Sequence, residues 1–450
     1  MFRIFRRLIF VIFSFSPAVQ LNAQSGFRKF LSTLTDTAGG KSAYKGESRL
    51  VYEDHIYLNS IKTVQLYDSS FQLSSPIIQL GTKQQLKLSF DDLEGGSKSF
   101  TYTLIHCSAD WEPSDLSIME YITGFQTDNI TEYGSSINTL QPYTHYNLQF
   151  PNDNMTITKS GNYIIEVFQD NNPDHPVLTK RFRIVDQRVS IDASVKPPSE
   201  PMDRTFKQQI NFTIDHSSFE IENPFGDLKV IVFQNGRLDN AISGLKPSFV
   251  KDGLLTYNYD VENVFTGGNE FRNFDIKTLK TQTEHIQKIK SDSINTVVLM
   301  PEEKRTFKRY TTAQDINGRY LIKMQEASNS EREADYAYVY FFLPYEPVTD
   351  GKLYLLGALT DWQFRKEAEM VYNPKRMAYE ACLYLKQGYY NYEYVFLKDG
   401  QKAADETLIE GMHFETENDY SILVYFHAPG TSYDQLIGIG QFNSATAKRN

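Results

Sequence analysis

The side chains able to do chemistry are present, but their spacing assembles nothing recognisable. The eight histidines (His55, His106, His145, His175, His216, His285, His413 and His427) include no H-E-x-x-H pair that would put two zinc ligands on one helix face. No G-x-S-x-G elbow and no phosphate loop occur, and Gly438-Ile439-Gly440 lacks the third glycine of a dinucleotide fingerprint. Asp170-x-Asn172-x-Asp174 opens like a calcium loop, yet His175 stands where the turn needs glycine and Arg181 where a glutamate should close the site. The adjacent pairs Asp91-Asp92 and Glu302-Glu303 would point to opposite faces of a strand, so they read as solvated charge rather than a glycosidase acid and base. Two cysteines, Cys107 and Cys382, exclude a disulfide framework and any multi-cysteine metal centre, and both read as buried small residues. No catalytic set, metal or cofactor is expected.

Three local features rise above this background. The segment Arg272–Arg309 carries nine Lys and Arg against five acids, a surplus of four positive charges in an acidic chain. It would either face an acidic partner through complementary potential or form a solvated strand face. Lys304, Arg305, Lys308 and Arg309 are the candidate contact residues within it. His106-Cys107-Ser108-Ala109-Asp110-Trp111 ends a strand on an aromatic beside a turn, where capping a sandwich core is expected over ligand binding. Leu356-Gly357-Ala358-Leu359-Thr360-Asp361-Trp362 precedes a long hairpin. These two motifs hold the only two tryptophans of the 450 residues.

The elements that would position these residues are strands. Leu86–Phe90 alternates strictly, and Tyr102–Ile105, Tyr163–Phe168, Arg181–Val185, Gln209–Ile214 and Leu228–Phe233 have the same β character. Tyr336–Leu343, Lys352–Leu356, Tyr379–Leu385, Tyr389–Leu397 and Ser421–Phe426 continue the series. Gly95-Gly96, Asn235-Gly236, Gly267-Gly268 and Asn317-Gly318 mark turns, the Asn-Gly pairs because they accept the positive φ of a type I′ turn. Residues Ile276–Ile289 fit a helix face only in part. The fold expected is all-β, with tandem immunoglobulin-like antiparallel β-sandwich domains at 44–190, 191–332 and 333–443. Before them, Arg3, Arg6 and Arg7, the apolar run Leu8–Phe15 and a small-residue site at Ala23 have the layout of a secretory signal peptide over 1–23. A linker follows over 24–43, and 444–450 is a tail. Cleavage takes the formal charge from −10 to −13. That sign argues against nucleic-acid binding, and no later stretch is apolar and long enough to span a membrane as a helix.

Several motifs become meaningful by their order. Residues 335–430 resemble an early-set immunoglobulin-like domain, the class that includes glycogen-binding modules, with Leu359 replacing the usual Phe of G-x-F-x-x-W and Trp362 closing it. Trp362 serves there as core or as sugar platform, and core is expected because no second tryptophan follows. Over nearly the whole chain, His106–Trp111, Asn223–Leu228, Gln234–Arg237, Gly267–Arg272, Asp315–Tyr320, Ala334–Tyr336 and Tyr433–Gly438 follow one another as in a periplasmic family of Bacteroidota. That family includes the Plug subunit of the type IX secretion translocon. The resemblance implies a non-enzymatic, monomeric periplasmic protein at the inner face of the outer membrane. Its partner would be the giant SprA-type translocon barrel, which it occludes when no cargo is engaged. His106, Asp110, Trp111 and Trp362 then stand as structural motif residues. The alternative is a glycan-binding protein using the C-terminal early-set domain.

Overall fold

Strands dominate because alternating apolar and polar residues, many β-branched or aromatic, bury one face of a pleated ribbon. The computed structural model describes residues 44, 46, 47 and 49–446. The expected signal peptide, the linker and the last four residues of the expected tail lie outside the described residues. Every helix among the described residues is short, and none is long and apolar enough to cross a membrane.

The first unit packs two sheets. One orders the strands His55–Ile56, Pro176–Val185, Gly161–Gln169, Phe100–Cys107 and Asp128–Asn129, and the other orders Ile61–Asp68, Leu86–Asp92, Thr144–Phe150 and Glu132–Ser135. Their facing sides bury Leu86, Leu88, Phe90, Tyr146 and Phe150 against Tyr102, Leu104, Tyr163, Ile165 and Phe182.

The expected all-β, multi-sheet architecture holds, but strand pairing crosses the division expected near 332. Leu228–Gln234 pairs antiparallel with Asp419–Phe426, Leu228 opposite Phe426 and Gln234 opposite Tyr420. The second unit is therefore built from residues around 190–266 together with 419–443, and its core combines Ile210, Phe212, Val230 and Val232 with Ile422, Val424 and Ile437. The third unit is inserted between these two pieces. Its sheets join Arg272–Asp275, Tyr320–Ile322 and Gly351–Leu356 to Gly388–Lys398. They also order Ile286–Ser291, Asn295–Leu299, Tyr336–Pro344, Ala378–Lys386 and Val371–Asn373. Asn295–Leu299 runs parallel to Tyr336–Pro344, so the sheets are not wholly antiparallel. No helix forms over Ile276–Ile289; the chain loops and then enters the strand from Ile286. The reason is packing: Ile276 and Ile286 both bury in the third unit's core, which an extended chain reaches from two sides.

The continuous apolar run in Leu228–Gln234 has a separate cause. Val230 and Val232 face the second unit's core, while Ile231 and Phe233, together with Leu423, Tyr425 and Leu436 of the same sheet, pack on Ala109 and Val185 of the first unit. A strand buried on both faces loses the alternation that one-sided burial imposes.

Candidate functional site

The three units meet around a cavity of about 240 Å³, and both tryptophans line it. Trp111 follows the strand Phe100–Cys107 and has φ 67°, which turns its ring toward the junction. The guanidinium of Arg181 lies 4.5 Å over that ring and that of Arg183 5.0 Å over it, so the indole is held by cation–π contacts. Trp362, at the end of a short 3-10 turn, meets Phe271 edge-on with ring centroids 6.0 Å apart. Gly318 has φ 75°, and a Cβ there would lie 2.3 Å from the Trp362 ring, so the expected Asn317-Gly318 turn needs glycine for two reasons at once. Neither ring lies open as a sugar platform, so no observation carries the glycan-binding alternative forward.

Ion pairs tie the cavity walls together. Lys180 Nζ of the first unit sits 2.7 Å from both Asp54 and Asp361, the latter in the third unit. Burial opposes the charge of Lys180, but Asp361 and Asp54 outweigh it and hold the ammonium above its ordinary range. Arg319 of the third unit reaches Asp419 of the second at 2.8 Å. Each carboxylate lining the cavity is thus ion-paired, and no nucleophile–base pair forms there. Among the described residues no cluster of three or more His, Cys, Asp or Glu could hold a metal ion.

A second junction corrects an expectation. Asp91 and Asp92 point to opposite faces as a strand requires, but neither is solvated. Asp92 pairs with Lys98 at 2.6 Å. Asp91 faces the third unit, where its carboxylate accepts from Tyr336 Oη at 2.6 Å and pairs with Lys386 Nζ at 2.6 Å. Its other oxygen meets His145 Nδ1 at 2.6 Å, across the strand pairing that sets Asp91 opposite His145. His145 Nε2 faces Asn147 Oδ1 at 3.1 Å and Glu331 at 3.5 Å. Glu331 is also bound by Lys87. Burial lowers the pKa of His145, but the hydrogen bonds to Asp91 and Glu331 more than reverse this, and the net shift is upward. Burial likewise works against the Asp91 carboxylate, and Lys386 with His145 still holds it below the ordinary range.

A histidine whose folded-state pKa is raised binds a proton more tightly folded than unfolded. Its stabilising contribution is full below an unfolded pKa of about 6.5 and is lost as pH rises through the raised value. We predict that His145→Gln flattens this loss in a pH series of urea denaturations. A wild-type slope retained by the variant would exclude His145 as its source.

The candidate contact residues separate on inspection. Arg305 belongs to the interior: its guanidinium holds the buried Glu410 at 2.7 Å and the Glu270 carbonyl at 2.8 Å. Lys308 pairs with Glu303 at 3.0 Å on the surface, and Arg309 is exposed. Lys304 lies over the rings of Phe307 and Tyr345. Phe307 is 93% exposed, so this loop presents an aromatic tip among cations. Within the same basic segment, Arg272 is buried against Glu410 at 2.9 Å and Glu302 at 2.5 Å. The structural motif residues also divide. His106 is buried between Ser114 and the Ser160 carbonyl, and desolvation pushes its pKa down to about 4. Asp110 is exposed and ion-paired with Lys229 of the second unit.

Sequence reasoning missed Asp91, His145, Lys386 and Phe307. Strand alternation places Asp91 and His145 on an outward, polar face, and nothing in a single strand tells that another unit covers it. Phe307 carried a usable signal, an aromatic in a run of four cations.

The family described as type 9 secretion system plug protein 1st domain matches residues 61–186. A crystal structure of a hypothetical protein from Parabacteroides merdae is similar at 35% identity and a TM-score of 0.85, covering 88% of this chain and 100% of that one. A trypsin-activated alpha-2-macroglobulin from Escherichia coli aligns at 10% identity over 84% of this chain and 28% of that one, with a TM-score of 0.17 that carries no structural weight. No curated protein matches the chain.

Proposed function

We propose that this chain, which belongs to the type 9 secretion system plug protein family, is a non-enzymatic plug that closes the periplasmic side of a giant, SprA-type outer-membrane barrel when no cargo is engaged. The family match over residues 61–186 carries the proposal. A wide barrel has a polar, water-filled lumen and leaks unless something bulky fills its mouth. Three sandwiches cross-tied by Lys180, Arg319 and Lys386 make a stiff body for that task. The protein resides in the periplasm as a monomer, and it leaves the barrel when cargo or another translocon subunit stabilises the barrel state that does not bind it.

The contact includes Lys304, Lys308, Arg309 and Phe307. Arg305 is excluded from any test of it because its replacement would strip Glu410 of a buried partner. Affinity purification from the outer membrane of the source organism should recover the giant barrel with the wild-type chain. The triple variant Lys304→Glu, Lys308→Glu, Arg309→Glu should lower recovery by about tenfold or more, since like charges now meet across the contact. A wild-type preparation without the barrel would remove the plug assignment; full recovery with the variant would remove this loop from the contact.

A further inference from the structure

The strand Tyr336–Pro344 is aromatic on both sides. Ala337, Val339, Phe341 and Leu343 enter the core, while Tyr336, Tyr338, Tyr340 and Phe342 point outward. A strand with one solvated face should be polar there. The reason is visible at one end of the row, where the first unit covers it. Tyr336 is buried, its hydroxyl bound by Asp91 and by Thr63 Oγ1 at 2.7 Å, and its cross-strand neighbour Lys386 is buried with it. Tyr384 still reaches Gln141 of the first unit at 3.1 Å. Beyond that point the cover stops, and Tyr338 and Tyr340 are each 39% exposed.

The bare part of the sheet has a defined composition. Strand register sets Lys290, Thr296, Tyr338 and Tyr384 in one row, and Lys288, Val298, Tyr340 and Cys382 in the next. Phe342 lies beyond them, with Arg376 5.4 Å over its ring. The basic loop adjoins this edge, because the Glu302 amide donates to the Phe342 carbonyl at 3.1 Å. Three acids nearby are already engaged: Asp292 by Lys290, Glu303 by Lys308 and Glu380 by Arg376. Among the described residues Lys288, Lys304 and Arg309 have no carboxylate partner. The face therefore has an aromatic centre and a cationic rim.

We propose that this outer sheet face of the third unit docks a protein surface of the secretion translocon, one with an apolar centre and an acidic rim. The proposal rests on the plug assignment and extends the contact from the loop to the sheet. Continuity supports it, since the same aromatic row already forms the contact with the first unit. Charge supports it as well: a second copy meeting this face about a twofold axis would set cationic rim against cationic rim, which costs several kcal/mol. A sugar would need open ring faces, whereas Tyr384 stacks on Tyr336 and lies 4.5 Å from Tyr338, so these faces turn toward one another.

The test measures affinity of the full chain for the detergent-solubilised translocon barrel. Tyr338→Ser with Tyr340→Ser should weaken binding by roughly thirtyfold or more, as loss of aromatic anchors does at interface centres. Phe249→Ser, at an exposed hairpin of the second unit, should leave it unchanged. A second measurement avoids any folding defect. Cys382 is exposed on this face and Cys107 is buried, so a polyethylene glycol maleimide will mark the face alone on the wild-type chain. Labelling should block barrel binding, and bound barrel should protect Cys382. Undiminished binding by both the double variant and the labelled chain overturns the docking face while leaving the plug assignment intact. Absence of wild-type binding removes both. Dimers of the free chain that the same substitutions dissociate would assign the face to a second copy and overturn the proposal.

Discussion

Replacing Asp91 with alanine should destabilise the folded chain by about 3–5 kcal/mol, the range for removing one partner of a buried ion pair. The carboxylate is fully buried and serves three groups at once, His145, Tyr336 and Lys386. Its loss leaves the Lys386 ammonium facing the Glu331 carbonyl and the rings of Tyr143 and Tyr336, with no carboxylate in direct contact among the described residues. The effect should be largest where the first and third units meet, so hydrogen exchange should rise first in Glu132–Ser135 and the Ser330–Glu333 turn. Urea denaturation of Asp91→Ala beside wild type measures the size. A loss below about 1 kcal/mol would mean that the junction relaxes enough to admit water to Lys386. Adding Lys386→Met to the Asp91→Ala chain should recover much of the loss, because an apolar side chain no longer needs a countercharge.

The second large effect has the opposite sign. Arg237 is buried among Asp239, Glu393 and Glu406, one cation facing three carboxyl groups. Burial, with Glu406, Glu410 and Asp239 close by, pushes Glu393 up from 4.5 to about 8 despite Arg237. The folded chain thus keeps a proton that the unfolded chain releases, and stability falls as pH rises from 4.5 to about 8. Glu393→Gln keeps the shape of the protonated acid and an oxygen for Arg237. The variant should match wild type near pH 5 and exceed it at pH 9 by an amount on the order of a few kcal/mol. Thermal midpoints of the two proteins across that range decide it; equal midpoints at pH 9 would show that Glu393 ionises without penalty.

Much of the secondary structure was legible in single segments. The strands at Leu86, Gln209, Leu228, Tyr336 and Tyr389 and the positive-φ turns at Asn235-Gly236 and Asn317-Gly318 stand where alternation and turn chemistry put them. What strands pair with was not legible, because Leu228–Gln234 carries no mark naming Asp419–Phe426 as its neighbour. The same limit hid the junctions. Asp91 and His145 sit at outward positions of their strands and were indistinguishable from solvated residues until the third unit's Tyr336 and Lys386 were seen to cover them. Arg305 looked like its neighbours Lys304 and Lys308, and only the position of Glu410 separates it from them.

The insertion of the third unit into the second sets an order of events during synthesis. A chain emerging from its N-terminus can close the first unit once Val185 is out, and the third once Ile409 and Glu410 are out. The second unit stays incomplete until Asp419–Phe426 arrives, with the apolar strand Leu228–Gln234 waiting meanwhile as an open edge. Such an edge is a template for pairing with other chains, and closing it depends on contacts distant in sequence, which slows folding. The interval between those two moments is when a folding chaperone has most to protect. A chain ending before residue 419 should therefore aggregate even though its first unit is whole.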